Sequence, residues 1–367
     1  MHPGTKRLLI PYVPALLPDE LLYSWLGRLV AYNALGDPRA YLELLFGTKN
    51  VIPGIDLPTL LEALHRRLGC FSPCNSADDL IDATTVYPYH RPFLTVERHH
   101  AVRQILLFGG GKGLKTLLGR VANRFGANPP LRFCGACIED DVARFGAPCW
   151  HMSHQLPGVT CCSAHGFDLI VFVSPNIFTD KQRICLPPAA TDFCFPPVHS
   201  GQSQIRFAEI SAALLRAQLP VLEPSLRTAV YRGAATALGF RTRGNRIDYD
   251  ALATAVRGHY SDFAGFVHRD RLLSSQAHPL AWLRALIDRP LRSAHPICHL
   301  LLIGLPRRGP HPSRRTILAS RTPTSHGSLL HQAPMCTPVD LSALRPRRQH
   351  ARKTIDRSSN VAMQLRP

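Results

Sequence analysis

The stretch FCGACIEDDVARFGAPCWHMSHQLPGVTCCSAHG, residues 133–166, decides how the middle of this chain folds. It holds three histidines and five of the eleven cysteines in a chain of 367 residues. Such a cluster has three ordinary explanations: a disulfide framework, a catalytic thiol or a metal site. The explanation that holds decides whether this region folds around a metal ion or around an ordinary core.

The N-terminal segment does not resemble a secretion signal. Its basic start leads into an apolar stretch that prolines interrupt, and no small-residue cleavage pattern follows. The sequence contains no run of about 18 apolar residues, so we expect no membrane span. We therefore expect a cytoplasmic protein in a reducing compartment, where disulfides are disfavoured. Metal binding or thiol chemistry remains for the clustered cysteines.

The spacing of the cysteines is typical of a zinc site. Cys134 and Cys137 form a C-x2-C pair. About 24 residues later, Cys162 and His165 form a C-x2-H pair. Two short ligand pairs joined by a longer loop deliver four tetrahedral ligands to Zn²⁺. Because four protein ligands close the metal shell, the pattern predicts a structural zinc ion in a small zinc-ribbon-like module.

Other assignments of this stretch remain open. Cys161 could replace Cys162 as a ligand, with three residues between it and His165. Further candidates nearby are Cys149, His151 and His154. A catalytic Cys–His pair would not need a CxxC partner, so it is disfavoured. Buried free cysteines without a metal are the structural alternative.

The same stretch closely resembles the zinc motif of the TniQ/TnsD family of transposon target-selection proteins. The shared elements are a Cys-x2-Cys pair, an acidic turn, Trp-His, His-Gln-Leu-Pro-Gly-Val and Cys-x2-His-Gly. They stand here at Cys134/Cys137, Glu139–Asp141, Trp150–His151, His154–Val159 and Cys162/His165/Gly166. This chain departs from the motif at Cys149, where an aromatic residue usually precedes the Trp.

The N-terminal segment LIPYVPALLPDELLYSWLGRLVAYNAL, residues 9–35, resembles the opening of the same family. Its apolar residues recur at helical spacing, with Asp19 as the expected N-cap. A second helix is predicted from Pro38 to Gly47, and a third from residues 56–58 to Leu68. Three short helices with brief connections match a helix-turn-helix arrangement or any small helical bundle.

The stretch GGGKGLKTLLGRVANRF, residues 109–125, combines glycines with basic residues. It is not a phosphate-binding loop, because Leu114 separates Gly113 from the lysine that should follow it directly. The pattern indicates a glycine turn and then a helix, whose basic face would lie on DNA phosphates or in solvent. The basic residues are Lys112, Lys115, Arg120 and Arg124.

A second helix-turn-helix-like unit is predicted further along the chain. Residues 205–220 and 224–239 have the pattern of amphipathic helices, and another helix opens at Asp248 or Asp250. The basic turn before it carries Arg241, Arg243 and Arg246. Arginines at such a turn can reach phosphates or bases, although an ordinary helical hairpin has the same pattern.

The charge of the chain favours a polyanionic partner. The formal net charge is +18 and the pI is about 9.9, which suggests nucleic acid unless it reflects an arginine-rich background composition. Residues 306–367 alone contribute about +10 and are rich in Arg, Pro and Ser. We expect this tail to be disordered, either as a basic arm that holds DNA or as out-of-frame sequence from a damaged gene copy.

The sequence therefore predicts a mainly α protein in five regions, of which the TniQ/TnsD resemblance covers roughly residues 8–305. They are a helical, helix-turn-helix-like TniQ region (1–95), a basic helical connection (96–130), a zinc-binding module (131–200), a helical, helix-turn-helix-like C-terminal region (201–305) and a disordered basic tail (306–367).

The resemblance implies a bacterial, nucleoid-associated target-site selector that is not an enzyme. Such a protein binds double-stranded DNA and recruits an AAA+ ATPase regulator, which brings the transposase complex. The alternative is an adaptor that docks on a guide-RNA complex and does not read DNA itself. A nuclease is disfavoured, because two-metal chemistry needs clustered acids. The tight acidic group at Glu139–Asp141 is expected on the surface or beside the zinc ligands.

Overall fold

The computed structural model describes residues 10–110, 113–119, 130–173, 180–189, 198–263, 272–273, 280–289 and 294–306. Across these residues the chain is mainly helical, which confirms the predicted fold class. Almost all of the predicted basic tail, residues 306–367, lies outside the described residues, so its predicted disorder stays a prediction.

The N-terminal region consists of short helices joined by brief connections. Asp37 caps the second of them by accepting a hydrogen bond from the N–H of Arg39, and Gly47 ends it in a left-handed conformation, φ 78°. Both ends agree with the sequence. The helices are α1 (Leu22–Tyr32), α2 (Pro38–Phe46), α3 (Leu61–Leu68), α4 (Ala77–Thr84), α5 (Tyr87–His90) and α6 (Val96–Phe108), with 3-10 turns at Gly69–Phe71 and Arg91–Phe93.

Two predicted helix starts in this region are wrong. Asp19 is not the cap of α1, because it lies outside the helix at φ 59° and accepts hydrogen bonds from Ser153 instead. The third helix begins at Leu61 and not at residues 56–58. The carbonyl of Asp56 accepts a hydrogen bond from Val86 N–H at 3.2 Å. In both places a group that the local pattern assigned to a helix start forms a tertiary hydrogen bond instead. At Asp19 this group is the side chain, and at Asp56 it is the backbone carbonyl.

The central module contains a two-stranded antiparallel ladder. β1 (Arg132–Phe133) pairs with β2 (Ile170–Val171), with Arg132 opposite Val171. Between the strands lie α8 (Gly135–Phe145) and a 3-10 turn, Ser153–Gln155, and the short α7 (Leu114–Leu117) precedes them. The ladder brings the two ends of the cysteine-rich stretch together.

The C-terminal region is again helical, as the sequence predicts. Asp248 caps the third of its helices by accepting a hydrogen bond from Ala251 N–H at 2.9 Å. The helices are α9 (Gln202–Ala217), α10 (Pro224–Ala237), α11 (Tyr249–His259), α12 (Ala281–Asp288) and α13 (Pro296–Ile303).

The aromatic segment 86–94 joins the N-terminal and C-terminal helices. All nine of its residues are buried. The Arg91 side chain donates to the carbonyl of Leu219 at 2.7 Å, just beyond the end of α9, where helix carbonyls lack partners within the helix. The ring of Phe93 stacks on that of His299 in α13, with 4.1 Å between centroids. This segment is thus part of the core.

All described residues fall within one contact-defined unit, Met1–Ser320. The finer division of this unit into regions stays a prediction. Among the described helices, none combines the length and the apolar character that crossing a bilayer requires.

A buried ion pair fixes the entry of the chain into α1. Arg28 Nε lies 2.8 Å from Glu20 Oε1, and Arg28 Nη2 lies 2.6 Å from Glu20 Oε2. Arg28 Nη2 also donates to the carbonyl of Ala15 at 2.6 Å, and Glu20 Oε2 accepts from Leu17 N–H at 3.0 Å. The Glu20 side chain is completely buried. Such a two-bond fork orders residues 15–20 against the helix.

We predict that Glu20→Ala lowers the free energy of unfolding by about 3–5 kcal/mol, because it leaves the buried guanidinium of Arg28 without its counter-charge. Urea unfolding of the purified chain measures the change. Glu43→Ala is the matched control, since Glu43 is exposed on α2 and its loss should change stability by less than about 0.5 kcal/mol. Equal stability of the Glu20→Ala variant and the wild type would contradict the prediction.

Candidate metal centre

Four ligand atoms converge in the central module. Cys134, Cys137, Cys162 and His165 each place one such atom within 4.8 Å of all the others. His165 Nδ1 lies 3.3 Å from the Sγ of Cys137 and 3.6 Å from the Sγ atoms of the other two cysteines. The Sγ atoms of Cys137 and Cys162 are 3.6 Å apart. Metal bonds of 2.0–2.3 Å in a tetrahedron separate ligand atoms by roughly 3.3–3.8 Å, so the cluster could hold a metal ion.

The fold presents the two ligand pairs on different kinds of turn. Cys134 directly follows β1 as the N-cap residue of α8, and Cys137 lies in the first turn of that helix. The positive end of the helix dipole favours thiolates there. In the second pair, Cys162 N–H donates to the carbonyl of Phe167 at 2.8 Å, while Gly166 N–H donates back to the carbonyl of Cys162 at 2.9 Å. Gly166 closes this turn at φ 69°, a conformation that favours glycine.

The thiols of the cluster are buried close together and share protons. The pKa of Cys162 is lowered because the thiols of Cys134 and Cys137 hydrogen-bond to it. Hydrogen bonds with the thiols of Cys134 and Cys162 raise the pKa of Cys137. Ligation by three thiolates requires a bound cation to offset their mutual repulsion.

The structure separates the cluster from the other candidate ligands in the stretch. Cys161 lies outside it, its backbone bridging to Asp168, and burial raises the pKa of its thiol to about 11. His154 is almost fully buried, and its Nε2 lies 3.8 Å from Cys137 Sγ. His154 thus borders the cluster, and Cys162 supplies the ligand atom that Cys161 could have supplied by spacing alone.

Asp140 orients the histidine of the cluster. Its Oδ2 lies 3.2 Å from Nε2 of His165, which leaves Nδ1 facing the three cysteines. A carboxylate on the far nitrogen of a ligating histidine fixes the ring and its tautomer. Asp140 stands three residues after Cys137 on the same helix, and this i, i+3 spacing is the sequence signal for the contact. The sequence placed the acidic run near the ligands but did not show which carboxylate meets which histidine.

A second group, Asp141, Cys149 and His151, lies in the same module. His151 Nε2 is 2.9 Å from Asp141 Oδ2, and His151 Nδ1 is 3.4 Å from Asp19 Oδ2. Burial alone would lower the pKa of His151, but hydrogen bonds to Asp141 and Asp19 outweigh it and raise the pKa. The ion pairs are present below the raised pKa, where the histidine is protonated, and are lost as the pH rises through it. We interpret this group as a pair of ion pairs centred on His151 and not as a metal site.

The three arginines predicted to contact DNA lie on an exposed hairpin between α10 and α11. Its backbone bond from Thr242 N–H to the carbonyl of Arg246 is 2.8 Å long. Arg241 holds the hairpin together, because its guanidinium donates to Thr236 Oγ1 at 2.8 Å and to the carbonyl of Asn245 at 2.9 Å. Arg243 and Arg246 are exposed.

The other predicted DNA contacts are only partly described. Lys115 is exposed on α7. Lys112, Arg120 and Arg124 lie outside the described residues, so the predicted basic face stays a prediction.

Both regions just described fall within matches to known families. The TniQ family model matches residues 11–169, and the model of Tn7-like transposition protein D matches residues 207–305. The chain is 24% identical over 282 residues to the transposon Tn7 transposition protein TnsD of Escherichia coli. That alignment covers 75% of this chain and 54% of the relative, so the chain spans about half the length of the curated protein it matches.

We predict that the purified chain carries one tightly bound divalent metal ion and that Cys137→Ser loses it, because the variant lacks one of four ligands. Elemental analysis after gel filtration measures the metal content. Cys161→Ser is the matched control: it removes a neighbouring buried thiol outside the cluster and should keep the metal. A wild-type chain without metal, or equal loss in both variants, would show that the cluster is not the site.

Proposed function

This chain belongs to the TniQ/TnsD family, and from that membership we propose that it selects the DNA target of a transposon. The observation that carries the proposal is the order of the two family matches, with TniQ first and Tn7-like transposition protein D second. Together these matches cover most of the chain and include both the cysteine cluster and the basic hairpin.

The physical properties of the chain support duplex DNA as the partner. Its net charge of +18 would neutralise phosphates and release counterions, which gives strongly salt-dependent affinity. The hairpin between α10 and α11 presents Arg243 and Arg246 to solvent next to a helix N-terminus. In this proposal backbone contacts position the protein, and a small number of side chains read bases.

The cysteine cluster would hold a structural Zn²⁺ ion. Three thiolates and one imidazole are a usual zinc ligand set, and four protein ligands leave no open position for a substrate. Phe167 and Leu169 pack against the cysteines, so the ion would tie the start of α8 to the second ligand turn and add to this packing. We propose that zinc keeps the TniQ region in shape and has no catalytic part.

Further partners complete the proposal. Proteins of the TniQ/TnsD family direct transposition to its target and are not catalytic enzymes. After binding its target in the bacterial nucleoid, the chain would recruit an AAA+ ATPase regulator, which brings the transposase complex. The match to Tn7-like transposition protein D favours direct DNA binding over docking on a guide-RNA complex.

We predict that the purified chain binds a duplex carrying the attachment site of its transposon at least about 10³-fold more tightly than a scrambled duplex of equal length. A mobility-shift titration at one fixed salt concentration measures the ratio. The same titration with the purified guide complex is the comparison. Equal affinity for both duplexes, together with tight binding to the guide complex, would contradict direct target selection. It would favour the alternative, an adaptor that docks on a guide-RNA complex.

A further inference from the structure

Four arginines from three elements surround one open cavity in the C-terminal region, which we call the arginine bowl. Arg232 comes from α10, Arg241 and Arg246 from the hairpin, and Arg284 from α12. The cavity has a volume of about 600 Å³. Its remaining lining residues are Asn245, Ile247, Tyr249 and Asp288.

The positive charge of the bowl is only partly balanced. Among the described lining residues the one carboxylate, Asp288, lies 3.2 Å from Arg232. Among the described residues no carboxylate forms an ion pair with the side chain of Arg246 or Arg284. Four guanidinium groups around one opening repel each other, and an anion inside the bowl would relieve that repulsion.

Two of the arginines are held in place before any ligand binds. The guanidinium of Arg284 lies over the ring of Tyr249, 5.0 Å from its centroid. Arg241 is bound to the side chain and carbonyl of Asn245 and so fixes the hairpin that carries Arg246. Side chains ordered in advance lose less entropy when they bind a ligand.

The chemistry of the lining indicates a phosphate group. A planar guanidinium matches two phosphate oxygens at once. Of the lining residues that the structure describes, only Ile247 and Tyr249 have large apolar side chains, and the Tyr249 ring already lies under Arg284. The bowl is open, and six of its eight described lining residues carry charged or amide side chains, so it does not have the enclosed apolar slot that a nucleotide base or a small metabolite usually occupies. An exposed phosphate on a long backbone fits this opening best.

We propose that the arginine bowl grips one or two neighbouring phosphodiesters of duplex DNA, with Arg246 and Arg284 as the contacts and Arg241 as a positioning residue. This inference rests on the proposed function and adds a docking point for the DNA backbone. It brings Arg284, about 40 residues beyond the hairpin in sequence, into the interface. It also gives Arg241 the role of fixing the hairpin, and not that of contacting DNA.

The test is the salt dependence of duplex binding, measured by fluorescence anisotropy for the wild type and for Arg246→Gln/Arg284→Gln. Each lost phosphate contact lowers the slope of log K against log salt by about 1, so we expect the double variant to lose about 1–2 from the slope. Arg216→Gln is the matched control, because it removes an exposed arginine of α9 outside the bowl and should keep the slope. Arg246→Lys/Arg284→Lys keeps the charge and should retain most of the slope.

Several outcomes would overturn the assignment. If the wild type and the Gln double variant bind the duplex with equally steep slopes, the bowl does not contact the DNA. The proposed function in target selection would still stand. Absence of duplex binding by the wild type rejects the proposed function and the bowl together. If inorganic phosphate or polyglutamate raises the melting temperature of the wild type alone, while the duplex slope stays the same in the double variant, the bowl takes a free anion or an acidic protein.

Discussion

A short antiparallel contact between the N-terminal segment and the central module is the constraint around which the first half of the molecule is arranged. Leu21 N–H donates to the carbonyl of Trp150 at 2.9 Å, and Met152 N–H donates to the carbonyl of Asp19 at 2.7 Å. Between them, His151 lies between two carboxylates. Trp150 N–H also donates to Ser24 Oγ of α1 at 3.0 Å, so the module packs directly on the helical N-terminus.

The buried segment 86–94 is the corresponding constraint for the second half of the molecule. Arg91 satisfies carbonyls beyond the end of α9, and Phe93 packs on His299 of α13. Because both contacts cross from the region of the first family match to that of the second, they anchor the end of α9 and the helix α13 on the TniQ region. A change in this segment would therefore alter both regions, although it lies far from the cysteines and from the hairpin in sequence.

The parts of the site that the sequence predicted are those encoded locally. The pairs Cys134/Cys137 and Cys162/His165 each sit in one turn, so their spacing alone indicates a shared metal. The helix caps at Asp37 and Asp248 are local as well. Prediction failed at Asp19, whose side chain contacts residues more than 130 positions away.

The sequence by itself determined the resemblance to the TniQ/TnsD family, the mainly helical character and the four positions of the Cys/His cluster, because periodicity, capping and residue spacing act over a few residues. Only the tertiary structure decided that Cys162 and not Cys161 joins the cluster, that Arg241 holds its own hairpin and that Arg284 and Arg246 line one cavity. The physical reason is the same in each case. Partners distant along the chain are chosen by the packing of whole helices, and no short pattern of residues records that packing.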